Sequence, residues 1–283
     1  MFVFCFIQNW TTCLADRILV NSAFTKSVFE KHISSKIPVQ ILYPTIPDQL
    51  PSASNADEKS INFLSINRFE RKKNLSLAIE AFARLHQSLQ NSSSKSIHLF
   101  MIGGYDPRLN ENVEYFDELN QLATKHNLNS NLITFVRSFS DEQKREYLSK
   151  CHCVLYTPSF EHFGIVPLEG MQAGRPVIAT ATGGPLETIL DGKTGYLCKE
   201  PLEENFARRM KEFVINENLS KQMGEQGKQH VQQKFSFEPF RKQLNEHVEE
   251  LLSQSVRNNR CLMFLFLLTL LFVLPVVVFS RFF

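Results

Sequence analysis

Six cysteines in 283 residues form no paired framework, which excludes a disulfide-stapled scaffold and a small zinc module. Cys151 and Cys153 stand in "CHC", but no second ligand pair follows at metal spacing. The run continues into the apolar "VLYTP", so these residues read as thiols of a buried strand in a reducing compartment. Charge of one sign is also scarce. A net charge of +2 excludes the basic field of a nucleic-acid binder, and no nucleic-acid partner is expected. No internal repeat marks a solenoid. No acidic cluster offers a metal seat, so no metal is expected. "MFVFCFI" at the amino end lacks the length, basic start and cleavage site of a secretory leader.

What is present is a hydrophobic fraction of 43% against 21% charged residues, enough to bury a sizeable core. Residues 261–280, "CLMFLFLLTLLFVLPVVVFS", carry no charge and are long enough to cross a bilayer. Arg257 and Arg260 precede this run and only Arg281 follows, which favours a cytosolic body with a C-terminal membrane anchor. Residues 51–60, "PSASNADEKS", read as a linker. Before it, residues 1–50 hold two strands ("DRILVNS", "VQILYP") and one helix ("SAFTKSVFEKH"). That is too little to bury a core alone, so this part is an accessory lobe or the remnant of a larger domain. After the linker, over 61–255, strand and helix patterns alternate. Such alternation predicts an α/β, Rossmann-like domain, a parallel sheet with helices on both faces.

In such sheets ligands bind beyond the carboxyl ends of the strands, and four signals converge there. In "EHFGIVPLEGMQAG" (161–174) a loop runs into a helix with Pro167 and Glu169 in its first turn, which brings Glu161 and Glu169 to one sheet edge. "TGGPLET" (182–188) repeats the turn chemistry, with Gly183 and Gly184 expected to expose backbone amides to a phosphate. Gly103 and Gly104 end another strand at that edge. "NRFERKKN" (67–74) sets Arg68 at a strand end and Lys73 at a helix start, two cations suited to a diphosphate. Alone, Glu169 or Glu187 is ordinary dipole compensation, paired glycines are tight turns, "RKK" is a solvated face, and His162 is structural or exposed. Their convergence on one edge points to a phosphate-rich ligand.

These stretches, "FEHFGIVPLEGMQAGRPVIATATGGPLETILDGKTGYLC" (160–198) and "SINRFERKKNLSLAIEAF" (65–82), closely resemble the retaining, nucleotide-sugar-dependent glycosyltransferases of the GT-B fold, family 4 type. Within that family, "ADRILVNSAFTKSVF", "LYP", "FGIVPLE" and "GGPLE" are similar to stretches of the dolichol-pathway α-1,3/α-1,6-mannosyltransferases. The resemblance covers roughly residues 10–250. It implies transfer of mannose from GDP-mannose to a dolichol-linked oligosaccharide in N-glycan precursor synthesis. The implied place is the endoplasmic reticulum membrane, with the body facing the cytosol. The implied partners are the nucleotide sugar, the lipid-linked acceptor, the membrane and other dolichol-pathway glycosyltransferases, with no cofactor or metal.

The resemblance also assigns roles. Arg68 and Lys73 would neutralise the donor diphosphate as the sugar leaves. Glu169 would bind the ribose hydroxyls. Glu161 would lie at the mannose, near the backbone amides of Phe163, Gly164 and Ile165, and Gly103 and Gly104 would line the cleft. Glu187 reads as a helix-start residue. The family has two Rossmann-like domains, whereas only about 45 residues here resemble the end of the first, so donor binding is expected to survive better than transfer. Two other readings stay open: a catalytically silent nucleotide-binding partner of glycosylation enzymes, and a transferase of another nucleotide sugar such as UDP-N-acetylglucosamine.

Overall fold

A computed structural model describes residues 12, 15–47, 60–90 and 95–253 of the chain. The linker up to residue 59 and the apolar run 261–280 lie outside the described residues, as do Cys5, Cys13 and Cys261. Among the described residues no helix is long and apolar enough to cross a membrane.

The amino-terminal part forms β1 (Ile18–Val20), α1 (Ala23–His32) and β2 (Val39–Ile41), with β1 and β2 paired in parallel. Ser22 caps α1, its hydroxyl accepting from the Thr25 N–H at 2.8 Å.

From Ser60 a six-stranded sheet takes over. Its strands are β3 (Ser60–Ile66), β4 (Ser96–Gly103), β5 (Ile133–Arg137), β6 (Cys153–Tyr156), β7 (Val177–Thr180) and β8 (Gly195–Cys198). All pair in parallel, in the order β5-β4-β3-β6-β7-β8. The crossovers hold α2 (Leu75–Leu89), α3 (Asn110–Lys125), α4 (Asp141–Lys150), α5 (Ile165–Gln172) and α6 (Pro185–Thr188). Then α7 (Glu203–Ile215), α8 (Glu217–Lys234) and a helical stretch over 237–253 close the described chain.

Side-chain alternation on these buried strands divides the core in two. Ile61, Phe63, Cys153, Leu155 and Ile178 face a layer built with α2, α3 and α7, where Phe82 and Phe206 are fully buried. Leu64, Ile66, Val154, Tyr156 and Val177 face the other layer, with Leu168 of α5 and Val231 of α8. Helix α2 shows why it packs: Leu75, Ala78, Ile79, Phe82 and Leu85 recur at helical spacing and are all buried. The thiols of Cys151, Cys153 and Cys198 are buried, and burial pushes that of Cys151 up to about 12.

Helix α4 has little apolar surface to hold it, so its capping box carries weight. The Ser140 hydroxyl accepts from the Gln143 N–H at 3.2 Å, and the Gln143 side chain accepts from the Ser140 N–H at 2.9 Å. Ser140→Ala is expected to cost about 1 kcal/mol, measured as a shift of the urea midpoint with an unchanged slope.

The sheet order places the chain reversal between β3 and β6, where the crossover direction switches and a crevice opens. The residues paired across that seam are Phe63 with Cys153 and Leu64 with Val154. Strand β3 runs on to Ile66 and β6 to Tyr156 beyond these pairs, so the two strands part at their carboxyl ends.

Candidate functional site

Four loops meet over that parting. The exit from β3 is pinned to the end of β4: the Asn67 N–H donates to the Ile102 carbonyl at 3.1 Å and the Phe69 N–H to the Gly104 carbonyl at 3.1 Å. Gly103 makes this possible, because a Cβ there would stand 1.9 Å from the Asn67 carbonyl oxygen. A Cβ on Gly104 would press on the Arg68 stem at 3.3 Å. Gly103 is therefore a packing residue behind the cleft, while Gly104 lines it.

The cleft encloses about 360 Å³, and Asn67, Arg68, Lys73, Lys144, Glu161 and Glu169 are among its lining residues. This volume lies in the range of small-ligand sites. At one end Lys73, closing a 3-10 turn (Arg71–Lys73), makes an ion pair with Glu161 from the loop after β6. The Thr157 hydroxyl donates to the Lys73 carbonyl at 2.7 Å and ties the two loops together. At the other end Lys144 of α4 pairs with Glu169 of α5 at 2.9 Å. Arg68 is more exposed, and its guanidinium reaches Glu70 at 2.7 Å. The phenol of Tyr156, also in the lining, is held well above its ordinary range, by burial first and then by the Glu161 charge. It stays a neutral hydrogen-bonding group.

Gly164 turns the chain into α5. Its φ of 75° is left-handed, and a Cβ there would meet the Tyr156 hydroxyl at 2.8 Å. Gly164 and Ile165 line the cleft at the helix N-terminus, a natural place for an anion. Phe163 does not: its ring is buried between Tyr43 and Phe235, with centroids 6.1 Å from each.

Two sequence expectations are corrected. Glu169 is not in the first turn of its helix, because Gly164 lets α5 begin at Ile165. Glu169 is thus its fifth residue and meets Lys144 instead of compensating the dipole. Gly183 and Gly184 do not offer an open phosphate seat. The Gly184 N–H donates to the Glu161 carbonyl at 2.8 Å, and a Cβ on Gly184 would stand 1.9 Å from the Phe163 oxygen. These glycines back the Glu161 loop and are absent from the cleft lining. Glu187 lies in the first turn of α6, as expected, and its carboxylate also compensates the dipole of α1, accepting from the Ala23 and Phe24 N–H groups at 2.8 and 3.0 Å.

Arg68, Lys73, Gly104, Glu161, Gly164, Ile165 and Glu169 are therefore brought together, while Gly103, Phe163, Gly183 and Gly184 stand behind them. Sequence reasoning missed Lys144, one of several cations in a polar helix, whose place depends on how α4 packs. It also missed Asn67 and Tyr156. Among the described residues no group of His, Cys, Asp and Glu could hold a metal ion.

A clustered anion cradle at the switch point of a parallel sheet suits a phosphorylated ligand, and comparison with known proteins narrows it. Residues 48–230 match the family model described as glycosyl transferases group 1. The chain belongs to this family. It is 45% identical over 257 residues to the alpha-1,3/1,6-mannosyltransferase ALG2 of Mus musculus, covering 87% of this chain and 61% of that protein. It is 43% identical over 269 residues to the ALG2 of Dictyostelium discoideum, covering 86% and 63%. The chain thus spans about three-fifths of the length of these curated relatives. Among solved structures it is similar to sucrose-phosphate synthase from Thermosynechococcus elongatus, with a TM-score of 0.76 at 22% identity over 88% of this chain and 62% of that one. That likeness is one of fold, the parallel-sheet α/β fold of GT-B type.

Proposed function

We propose that the chain provides the donor site of an α-1,3/α-1,6-mannosyltransferase, which moves mannose from GDP-mannose to a dolichol-linked oligosaccharide. One observation carries the chemical part: the cleft pairs each of its two glutamates with a lysine, Lys73 with Glu161 and Lys144 with Glu169. A diphosphate needs cations, and a sugar and a ribose need carboxylates that accept from hydroxyls. This arrangement supplies both at either end of one cleft. The identity to curated mannosyltransferases supports the choice of sugar.

In this reading the glycosyl–phosphate bond breaks, and the acceptor hydroxyl takes the mannose with retained configuration and gives its proton to the departing diphosphate of GDP. Arg68, Lys73 and Lys144 meet the charge that develops on the diphosphate. Glu161 accepts hydrogen bonds from the mannose and Glu169 from the ribose. No metal is required, because the cations come from side chains. The run 261–280 is the membrane anchor of a body on the cytosolic face of the endoplasmic reticulum, and other glycosyltransferases of the pathway are its neighbours. A second reading is a nucleotide-binding partner without turnover.

Calorimetry with GDP, beside GDP-mannose turnover on a lipid-linked acceptor, separates the two. Binding with turnover supports transfer, and binding without turnover leaves the partner reading. Arg68→Ala and Glu169→Ala are each expected to weaken GDP by roughly tenfold, about 1.4 kcal/mol. Unchanged affinity in both would defeat the site assignment.

A further inference from the structure

Glu187 lies outside the cleft lining, yet both its carboxylate oxygens are engaged. Oε2 accepts from the Ala23 N–H at 2.8 Å and Oε1 from the Phe24 N–H at 3.0 Å. These are the first two N–H groups of α1, donors that a helix leaves without intrahelical partners. A negative charge there is also favoured by the helix dipole. Oε2 further accepts from the Tyr43 hydroxyl at 2.9 Å. Burial, and then Glu187 itself, push that phenol up to about 12, which keeps the donor in place. One side chain thus fastens the segment from β1 to β2 onto the six-stranded domain.

That segment in turn grips the loop that carries Glu161. The Ser22 hydroxyl donates to the His162 carbonyl at 2.5 Å, and Thr25 Oγ1 lies 2.9 Å from His162 Nδ1. The Phe24 ring meets the His162 ring edge-on at 5.4 Å, and the Tyr43 ring rests on Phe163. From the opposite side, the Gly184 N–H, three residues before Glu187, donates to the Glu161 carbonyl. Residues 161–163 are therefore held between the α6 turn and the amino-terminal segment, and Glu187 is the residue that joins these two supports. The side chain fixed by this clamp is the carboxylate paired with Lys73.

We propose that Glu187 is a positioning residue for the sugar end of the cleft: by holding α1 and Tyr43 it sets where Glu161 stands. The proposal rests on the donor-site reading. It assigns to the amino-terminal segment a part in recognising the sugar, beyond that of a packed appendage. Among the described residues, the Lys144 and Glu169 side chains that build the nucleotide end on α4 and α5 share no hydrogen bond or ion pair with α1 or Tyr43, so that end is left undisturbed.

The test compares affinities for GDP and GDP-mannose by calorimetry on the full chain and on Glu187→Gln. This variant keeps the size of the side chain but turns an amide toward donors that need an acceptor. The ratio of GDP-mannose to GDP affinity is expected to fall about tenfold, ~1.4 kcal/mol, with GDP affinity held within about twofold. Ser22→Ala, which frees the His162 carbonyl from the other side, is expected to move the ratio in the same direction and stands in if Glu187→Gln does not fold. A lower melting temperature with an unchanged ratio, or equal losses for both ligands, overturns the proposal while leaving the donor site intact. A wild-type chain that binds neither nucleotide overturns the donor-site reading, and this inference with it.

Discussion

Lys73→Ala should weaken GDP-mannose binding on the order of a hundredfold, about 3 kcal/mol. Two losses add in this variant. The diphosphate loses a charge-assisted partner held in a mostly buried place, where the lysine side chain is 12% exposed. Glu161, 28% exposed, is left as an uncompensated carboxylate facing an anionic ligand, and removing one member of a partly desolvated pair costs more than the pair itself contributed. The double variant Lys73→Ala/Glu161→Ala is therefore expected to recover part of the GDP affinity lost in the single one. Calorimetry on both decides the matter. If the double variant binds GDP no better than Lys73→Ala alone, Lys73 is not balancing Glu161 and the electrostatic account of the cleft is wrong.

Gly184→Ala should destabilise the fold by about 3 kcal/mol. The backbone there is right-handed, with φ −57° and ψ −36°, so alanine meets no conformational penalty. The whole cost is collision: the new methyl would stand 1.9 Å from the Phe163 oxygen and 2.4 Å from its Cα. Relief requires the Phe163 backbone to move, which also disturbs Glu161 two residues earlier. Gly192 supplies the contrast. Its φ is 72° and nothing lies within 4 Å of an added Cβ, so Gly192→Ala should cost only about 1–2 kcal/mol of backbone strain. Urea denaturation of the two variants separates the mechanisms, and a loss at Gly184 no larger than that at Gly192 would sink the collision argument.

Much of this architecture is legible in the sequence because its strands are buried on both faces. Runs such as "CVLY" and "VIAT" are dominated by apolar residues and buried at every position, as parallel strands covered by helices must be. Ahead of them in the chain α2 carries an unambiguous helical stripe. The cleft residues Arg68, Lys73, Glu161 and Glu169 are legible because each follows closely on the carboxyl end of a strand, in the loop or helix after it, and sheet geometry gathers such positions. What local sequence cannot carry is the direction in which a polar group turns once the layers close. Lys144 is chemically no different from Lys150 six residues later, which pairs with Glu146 on the surface of the same helix. Only the packing of α4 singles out the first. Gly184 looks like an anion nest until the Glu161 carbonyl takes its N–H. Glu187 reads as a helix-start residue, which it is, but the N–H groups its carboxylate takes belong to a helix 164 residues earlier in the chain.

That separation has a consequence for how the protein is made. Arg17 reaches Glu250 at 2.7 Å and His247, 230 residues on, at 2.8 Å. The β1–β2 pair, too small to stand alone, leaves the ribosome ahead of the six-stranded sheet, with its docking partners at Glu187, Phe235 and Glu250 still to be translated. At about 5–20 residues per second, it waits roughly 10–45 seconds for the last of them. For that interval two short strands and a helix are exposed in a nascent chain, with unpaired edges open to wrong neighbours. A segment made before the six-stranded sheet is thus among the last parts of the described fold to be seated, so its seating follows translation of Glu250.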